Sequence, residues 1–466
     1  MLDISRQRLM INLPLLNSID DVVSRQLCAG CGACAAAAPE QYEMADVLEH
    51  GRRPVQQRDA PHDPAAEAAA LHACPGREVA VTTTSEQEAQ CIPELRPGWG
   101  PVLEIWEGWA TEDRMRHEAS SGGAATAIAL AAINAAGMHG VLHTRARSDQ
   151  PLLNETTMSR TREDLLRATG SRYAPASPCD GLGKIEQANG PCLFIGKPCD
   201  VAAASRLAAM RPTLAEKLGA TIAIFCAGTP TTRATMRLLE RVGVDDPADV
   251  VSIRYRGHGW PGETRILVKA KDGSLEERTL PYEQSWGEIL TNDKQWRCHL
   301  CADHTGECAD LSVGDAWQDR VEGEPGRSLI LVRTERGRTL LQRAVESGHL
   351  EVRPAFSSAL PRAQRNLLRG RGAAWGRLLA CRLLLLPKPS YPGMALARYW
   401  RSELTWKERA QSVVGMAKRA VKRRLHARIR VELDRDRATS PPERAAPLPF
   451  SSENRRAGKR NARRAA

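Results

Sequence analysis

The chain has 466 residues, 42% of them hydrophobic, and a formal net charge of +11. That length and apolar fraction allow two or three domains with sizeable cores and exclude a wholly disordered or fibrous chain. The charge is uneven: residues 361–466 carry 27 basic and 7 acidic side chains, or +20, which leaves −9 for residues 1–360. An acidic body with a basic tail speaks about partners rather than about the fold.

The opening, Met1-Leu-Asp-Ile-Ser-Arg-Gln-Arg, has no sustained apolar stretch, and the longest wholly apolar run of large residues is Leu383–Leu386. Both argue against a signal peptide and a membrane span. The expected location is a reducing cytoplasm, where 13 cysteines hold metals or do redox chemistry rather than form disulfides.

In chain order, the first informative feature is Cys28-Ala-Gly-Cys31-Gly-Ala-Cys34, followed forty residues later by Cys74-Pro75-Gly76. Thiolates at this spacing wrap one iron–sulfur cluster, because a tight Gly-bearing loop aims three sulfurs inward. Bacterial ferredoxins place the fourth ligand three residues further on, before a proline. Here that slot is Ala38, beside Pro39, and Cys74 is the natural stand-in. A structural zinc knuckle accepts the same four thiolates, but zinc ribbons use two separated pairs, so the spacing favours iron–sulfur. Arg52–Ala70 reads as a surface excursion and Pro93–Pro101 as a linker.

From Val102 the pattern becomes α/β. Strands are expected at Val102–Trp109, Met138–Arg145, Cys192–Ile195 and Thr221–Phe225, with helices at Ala124–Ala136 and Val201–Met210 between them. Residues 251–333 read as strand-rich: Val251–Tyr255, Thr264–Lys269, Leu311–Val313 and Leu329–Arg333. The expected fold is α/β: a small N-terminal ferredoxin-like iron–sulfur segment (1–95), then a central, mainly parallel α/β sheet domain with mixed strands (100–355). A basic helical C-terminal extension (356–438) and a disordered basic tail (439–466) follow.

Several motifs, ordered over about residues 25–335, together resemble one family, the beta subunits of coenzyme F420 hydrogenases and dehydrogenases, whose relatives include the hydroxymethyl chlorophyll reductase. The stretches are Cys28–Cys34, Ala73–Gly76, Ser120-Ser121-Gly122-Gly123, Gly170-Ser171-Arg172-Tyr173, Ile195–Cys199, Phe225-Cys226, Cys298-His-Leu-Cys301 and Ala309–Asp315. The resemblance implies a flavin and iron–sulfur oxidoreductase with FAD, one 4Fe–4S cluster and room for a second. It also implies that Cys199, Cys226, Cys298 and Cys301 hold that second cluster. Cys298-x-x-Cys301 cannot saturate a metal alone, and Cys308 is a further candidate beside these. Cys199 and Cys226 could equally be buried, inert thiols. Cys91, Cys179, Cys192 and Cys381 have no grouping and read as packing residues.

For the flavin, Ser120–Gly123 opens a helix and so offers backbone N–H groups to an anion, the alternative being an ordinary cap with glycines for close packing. Gly170–Tyr173 offers a turn, a cation and an aromatic face, or else is a surface loop. Gly196 and Lys197 precede Cys199, where an ammonium could stabilise an anionic reduced flavin. Asp315 reads as closing a turn, and His258 and His299 as structural. No Rossmann or Walker fingerprint is present, so NAD and ATP are unsupported.

In the tail, Ser402–Val431 reads as an amphipathic helix with Trp406, Ala410, Val413, Ala417, Val421 and Leu425 along one face. It suits an anionic membrane surface, at the inner membrane face, or an acidic protein partner; nucleic acid is disfavoured by sparse aromatics. The functions that compete are an oxidoreductase fed by reduced ferredoxin or a deazaflavin coenzyme, a non-catalytic electron-transfer or scaffold subunit, and a zinc-stabilised binding protein.

Overall fold

The computed structural model describes residues 16–48, 50–57 and 63–431, so the expected disordered tail and the end of the basic extension lie outside the described residues. Thirteen strands occur among them: β1 (Tyr42–Val47), β2 (Gly51–Gln56), β3 (Glu104–Ala110), β4 (Gly140–Ala146), β5 (Asn154–Ser159), β6 (Cys192–Gly196), β7 (Leu218–Ile224), β8 (Val250–Arg254), β9 (Glu263–Lys269), β10 (Leu275–Pro281), β11 (Leu311–Asp315), β12 (Ser328–Val332) and β13 (Leu350–Pro354). Eight form one sheet in the order β13-β3-β12-β11-β7-β6-β4-β5. The four central strands β11, β7, β6 and β4 are parallel, and antiparallel strands close both flanks. The fold is mixed α/β.

The parallel centre is read correctly because its strands are buried on both faces and therefore nearly all apolar, as in Cys192-Leu-Phe-Ile and Thr221-Ile-Ala. The helix Ala124–Asn134 crosses behind the sheet, and seven of its small or aliphatic residues are buried. Alanine favours helix and lets the backbone approach the strands closely. The expected helix at Val201–Met210 spans Pro198–Ala208, which begins one residue after Lys197.

Three expectations are corrected by packing. Arg52–Ala70 is no loose excursion: it holds β2, paired antiparallel with β1, and most of the helix Pro64–Ala73. Pro93–Pro101 is no linker, since Arg96–Trp99 is a helical turn, Trp99 is buried, and the Arg333 guanidinium donates to the Trp99 and Pro101 carbonyls. Proline and glycine there shape a tight, buried corner.

The third concerns the basic C-terminal region. The helix Arg365–Leu383 is followed by Leu396–Ser402 and Trp406–Lys422, so the single helix expected at Ser402–Val431 is broken at both ends. Arg424 turns with a positive φ of 50°. These helices do not hang off the body. Leu378, Met394, Leu396, Met416, Ala420 and Leu425 share one apolar core with Ile19, Val22, Leu27, Cys28 and Cys34. The Ile429 amide donates to the Ser24 carbonyl and Arg428 pairs with Asp21, tying the described C-terminus to the helix Ile19–Ser24. The stripe expected to face a membrane therefore faces the protein at Leu425 and partly at Val413 and Ala417, while Trp406, Ala410 and Val421 are exposed. Among the described residues, no helix is long and apolar enough to cross a membrane.

Candidate functional site

The N-terminal thiols converge. Cys28, Cys31, Cys34 and Cys74 all line one small apolar pocket, walled by Ile19, Val22, Val23, Met44 and Pro54. Gly32 makes the loop possible. It sits at φ 89°, and a Cβ there would lie 2.7 Å from the Asp180 amide nitrogen. The loop is clamped from that side by the Cys179 amide, which donates to the Cys31 carbonyl, and by Ser177 Oγ, which donates to the Gly30 carbonyl. Burial and the neighbouring thiols push the Cys34 thiol well up and that of Cys74 up to about 12. A bound metal would have to displace those protons.

Cys199, Cys226, Cys298 and Cys301 form a second group in mutual electrostatic contact. Cys199 follows β6 and Cys226 follows β7, so both lie at the carboxyl ends of parallel strands, where open α/β sheets place their ligands. The Thr229 amide donates to Cys298 Sγ at 3.3 Å, and the Cys226 amide to the His304 carbonyl. All four cysteines are part-exposed, whereas three of the first four are buried. Burial raises the Cys226 thiol to about 12 and the Cys301 thiol to about 11. Cys308 belongs to neither group: its thiol donates to the Ala80 carbonyl. Among the described residues, no three His, Cys, Asp or Glu side chains close around a point as one ion requires.

The two thiol groups are joined through residues outside both sets. Cys179, expected as a packing residue, stands within hydrogen-bond reach of the Cys31 thiol, which lowers the Cys31 pKa, and its own S–H reaches the Asp200 carbonyl at 3.2 Å as an alternative acceptor. Asp200 pairs with Lys197 Nζ at 2.7 Å, and Lys197 also interacts with Cys199 and Cys226. Two buried guanidiniums span the same gap. Arg53 interacts with Cys28 and Cys298, while Arg297 donates to the carbonyl of Pro75, next to Cys74, and faces Cys199, Cys298 and Cys301. Arg297 stands beside a cysteine pair in sequence; Arg53 carries no local signal.

The two motifs expected to grip flavin also meet. The Ser171 amide donates to Ser120 Oγ at 2.6 Å, and Arg256 donates to the Ser120 carbonyl and, at 3.3 Å, to the Tyr173 hydroxyl. Their atoms are largely consumed by the protein, however. Gly122 donates its N–H to Ser328 Oγ, and a Cβ on it would strike the Gly108 carbonyl at 2.6 Å, so its lack of a side chain serves strand packing. Ser121 Oγ donates to the Arg327 carbonyl, and Gly123, not a serine, caps the helix. Gly170 abuts Arg254, and Gly196 abuts the Asp200 side chain. Arg172 is no solvated loop residue: it donates to Asn154 Oδ1 and to the Pro151, Leu153 and Ile253 carbonyls.

What the two motifs frame is an arginine–aromatic cluster with Arg256 and Trp260 buried in it. Asp315 closes no turn; it holds Arg256 bidentately at 2.8 and 3.0 Å and accepts from Trp260 Nε1 at 2.8 Å. Arg256 lies over the Tyr282 and Trp317 rings, and Trp260 stacks on Trp317.

Residues 105–182 and 191–357 match, respectively, the N-terminal and C-terminal models described as coenzyme F420 hydrogenase/dehydrogenase, beta subunit, and together these cover more than half of the chain. The chain belongs to this family. Cys28–Cys74 lie outside both matched stretches, while Cys199, Cys226, Cys298 and Cys301 fall inside the second.

Among relatives of this family member, an uncharacterized protein of Methanocaldococcus jannaschii is 24% identical over 72% of this chain and 91% of its own length. The coenzyme F420 hydrogenase subunit beta of Methanosarcina barkeri is 23% identical, covering 55% and 84%. The F420-dependent formate dehydrogenase subunit beta of Methanocaldococcus jannaschii is 23% identical, covering 54% and 62%. A chain of the F420-reducing [NiFe] hydrogenase complex from Methanosarcina barkeri overlays with a TM-score of 0.48 at 21% identity, covering 64% of this chain and 99% of that one. Membership places the chain among oxidoreductase subunits that transfer electrons.

Proposed function

We propose that the chain carries two 4Fe–4S clusters, one on Cys28, Cys31, Cys34 and Cys74 and one on Cys199, Cys226, Cys298 and Cys301, and passes electrons between them. The observation that carries this reading is the contact chain Cys31–Cys179–Asp200–Lys197–Cys199, flanked by Arg53 and Arg297, between two four-thiol groups. The first four thiols line one apolar pocket, and their x2-x2 spacing suits an iron–sulfur cluster better than the paired ligands of a zinc ribbon. When bound, such clusters supply one-electron storage at a potential set by charge and burial. Lys197, Arg53 and Arg297 are fixed cations facing both thiolate sets; they offset the negative charge a cluster brings into a low-dielectric interior. The apolar wall of Ile19, Val22 and Val23 keeps water from the first site.

The proposed activity is an oxidoreductase that moves electrons between a low-potential carrier, reduced ferredoxin or a deazaflavin coenzyme such as F420, and an unidentified substrate. The relatives named for F420 support the second carrier. FAD is proposed with a narrower site than the motifs suggested. Gly122 and Arg172 serve the scaffold, so the part-exposed rings left to meet a planar ring system are Tyr173, Tyr282 and Trp317, backed by the buried Arg256 and Trp260. That same consumption of motif atoms favours, as a second reading, an electron-transfer subunit without flavin. Iron, acid-labile sulfide and flavin, counted per chain in anaerobically purified protein, test both readings. Eight iron atoms with one flavin support the first, eight without flavin the second, and stoichiometric zinc overturns both.

A further inference from the structure

Six basic side chains crowd the outer side of the second thiol group. Lys294 interacts with Cys226 and Cys298, and also with Arg377 and Arg419. Arg423 donates to the Lys294 carbonyl, lies over Trp296, and interacts with Arg233 and Arg419. Arg233 and Arg237 both reach Asp293, at 2.8 and 3.4 Å. Asp293 thus pairs with two of these cations, Arg233 and Arg237. The crowding shows in Arg377, which burial and the adjacent Arg419 hold down to about 10. Such mutual repulsion destabilises a fold unless negative charge is brought to it.

Part of that negative charge is internal, from the thiolates. Arg419, exposed on the helix Trp406–Lys422, and Arg237, 47% exposed, point the rest of the field outward. The second thiol group is also the more open of the two. Electrons that enter or leave by the shortest path to the surface therefore cross this face. Resting on the two-cluster reading above, we infer that the face formed by Arg233, Arg237, Lys294, Arg377, Arg419 and Arg423 is the docking surface for an acidic one-electron carrier protein. Contacts of this kind are small, weak and steered by charge, so they need no apolar patch and are strongly salt-dependent.

The test uses the full-length chain and, as probe, an acidic ferredoxin, with binding measured by titration calorimetry at low and moderate salt. Iron and sulfide are counted first in each preparation. Arg237→Glu combined with Arg419→Glu should raise Kd at least tenfold at low salt and flatten its salt dependence. Lys407→Glu makes a single charge reversal on the same helix, about 18 Å away at the 1.5 Å rise per residue, and should change Kd less than threefold. Reduction of the visible chromophore by dithionite should be the same in all variants. Unaltered Kd in the double variant, or equal weakening by Lys407→Glu, overturns the docking face. Tighter binding to vesicles containing phosphatidylserine than to ferredoxin, lost in the same double variant, reassigns the face to lipid and also overturns it. Absence of iron and sulfide overturns the two-cluster reading itself, which separates the two failures.

Discussion

Replacing Leu425 by Ala tests whether the basic C-terminal helices are an appendage or the wall of the first thiol site. Leu425 is 4% exposed and belongs to the core that holds Cys28, Cys34 and Met416, whereas Val421, one turn earlier, is 73% exposed. Deleting a buried leucine's methyl groups costs about 2–5 kcal/mol once the residual cavity is included. An exposed valine at a surface position costs less than about 0.5 kcal/mol. Cutting the chain after residue 395 removes Leu396, Met416 and Leu425 together, at roughly 1.5–3 kcal/mol each, or about 5–9 kcal/mol. That rivals the whole stability of an ordinary domain, about 5–15 kcal/mol. Urea unfolding followed by tryptophan fluorescence, with iron content measured on the same samples, should show a large shift for Leu425→Ala and none for Val421→Ala. The truncated chain should lose its first-site iron. Equal shifts in the two point variants, or a truncated chain with the full-length midpoint and iron, would refute the packing argument.

Other outcomes follow from single contacts. Cys74→Ser should remove about half of the bound iron and leave the second site loaded, since Cys74 lines only the first pocket; quantitative iron and sulfide analysis decides it. Arg172→Leu should lower the unfolding midpoint even in flavin-free protein, because it strands the Pro151, Leu153 and Ile253 carbonyls, each at about 1–3 kcal/mol. A variant that keeps its midpoint and loses only flavin would return Arg172 to the ligand site. His143 is buried against Ser159 Oγ at 2.7 Å, and desolvation lowers its pKa to about 4, below the 6.5 of the unfolded chain. The unfolded state then binds the proton first, so stability present above pH 6.5 is lost as pH falls toward 4, by up to about 3 kcal/mol. His143→Gln should flatten the unfolding midpoint over that window, and an unchanged slope would show that His143 is not the group responsible.

The sequence alone determined the parallel centre of the sheet and marked Cys28, Cys31 and Cys34 as one group, whereas the scattered Cys199, Cys226, Cys298 and Cys301 were grouped only by the family resemblance. Strands buried on both faces must be apolar runs, and three thiols at x2-x2 spacing sit on one local loop; Cys74 and the second group are brought in by the fold. Residues 42–56 went unread as a hairpin because Glu43, Asp46, Arg52 and Arg53 break the apolar pattern, and only tertiary contacts show Arg53 buried between the two thiol groups. The glycines of Ser120–Gly123 carried a ligand signal and a packing signal in the same letters; the Gly108 carbonyl at 2.6 Å from a Cβ on Gly122 shows the packing role, which no local spacing announces. Helical periodicity found an apolar stripe in the C-terminal helices, but periodicity gives the angle of a face and not what covers it. The face that is buried, Met416, Ala420 and Leu425, shares its core with residues 19–34, some four hundred positions away in sequence, while Trp406, Ala410 and Val421 of the expected stripe stay exposed. Long-range burial of that kind follows from how elements meet, and no local spacing encodes it.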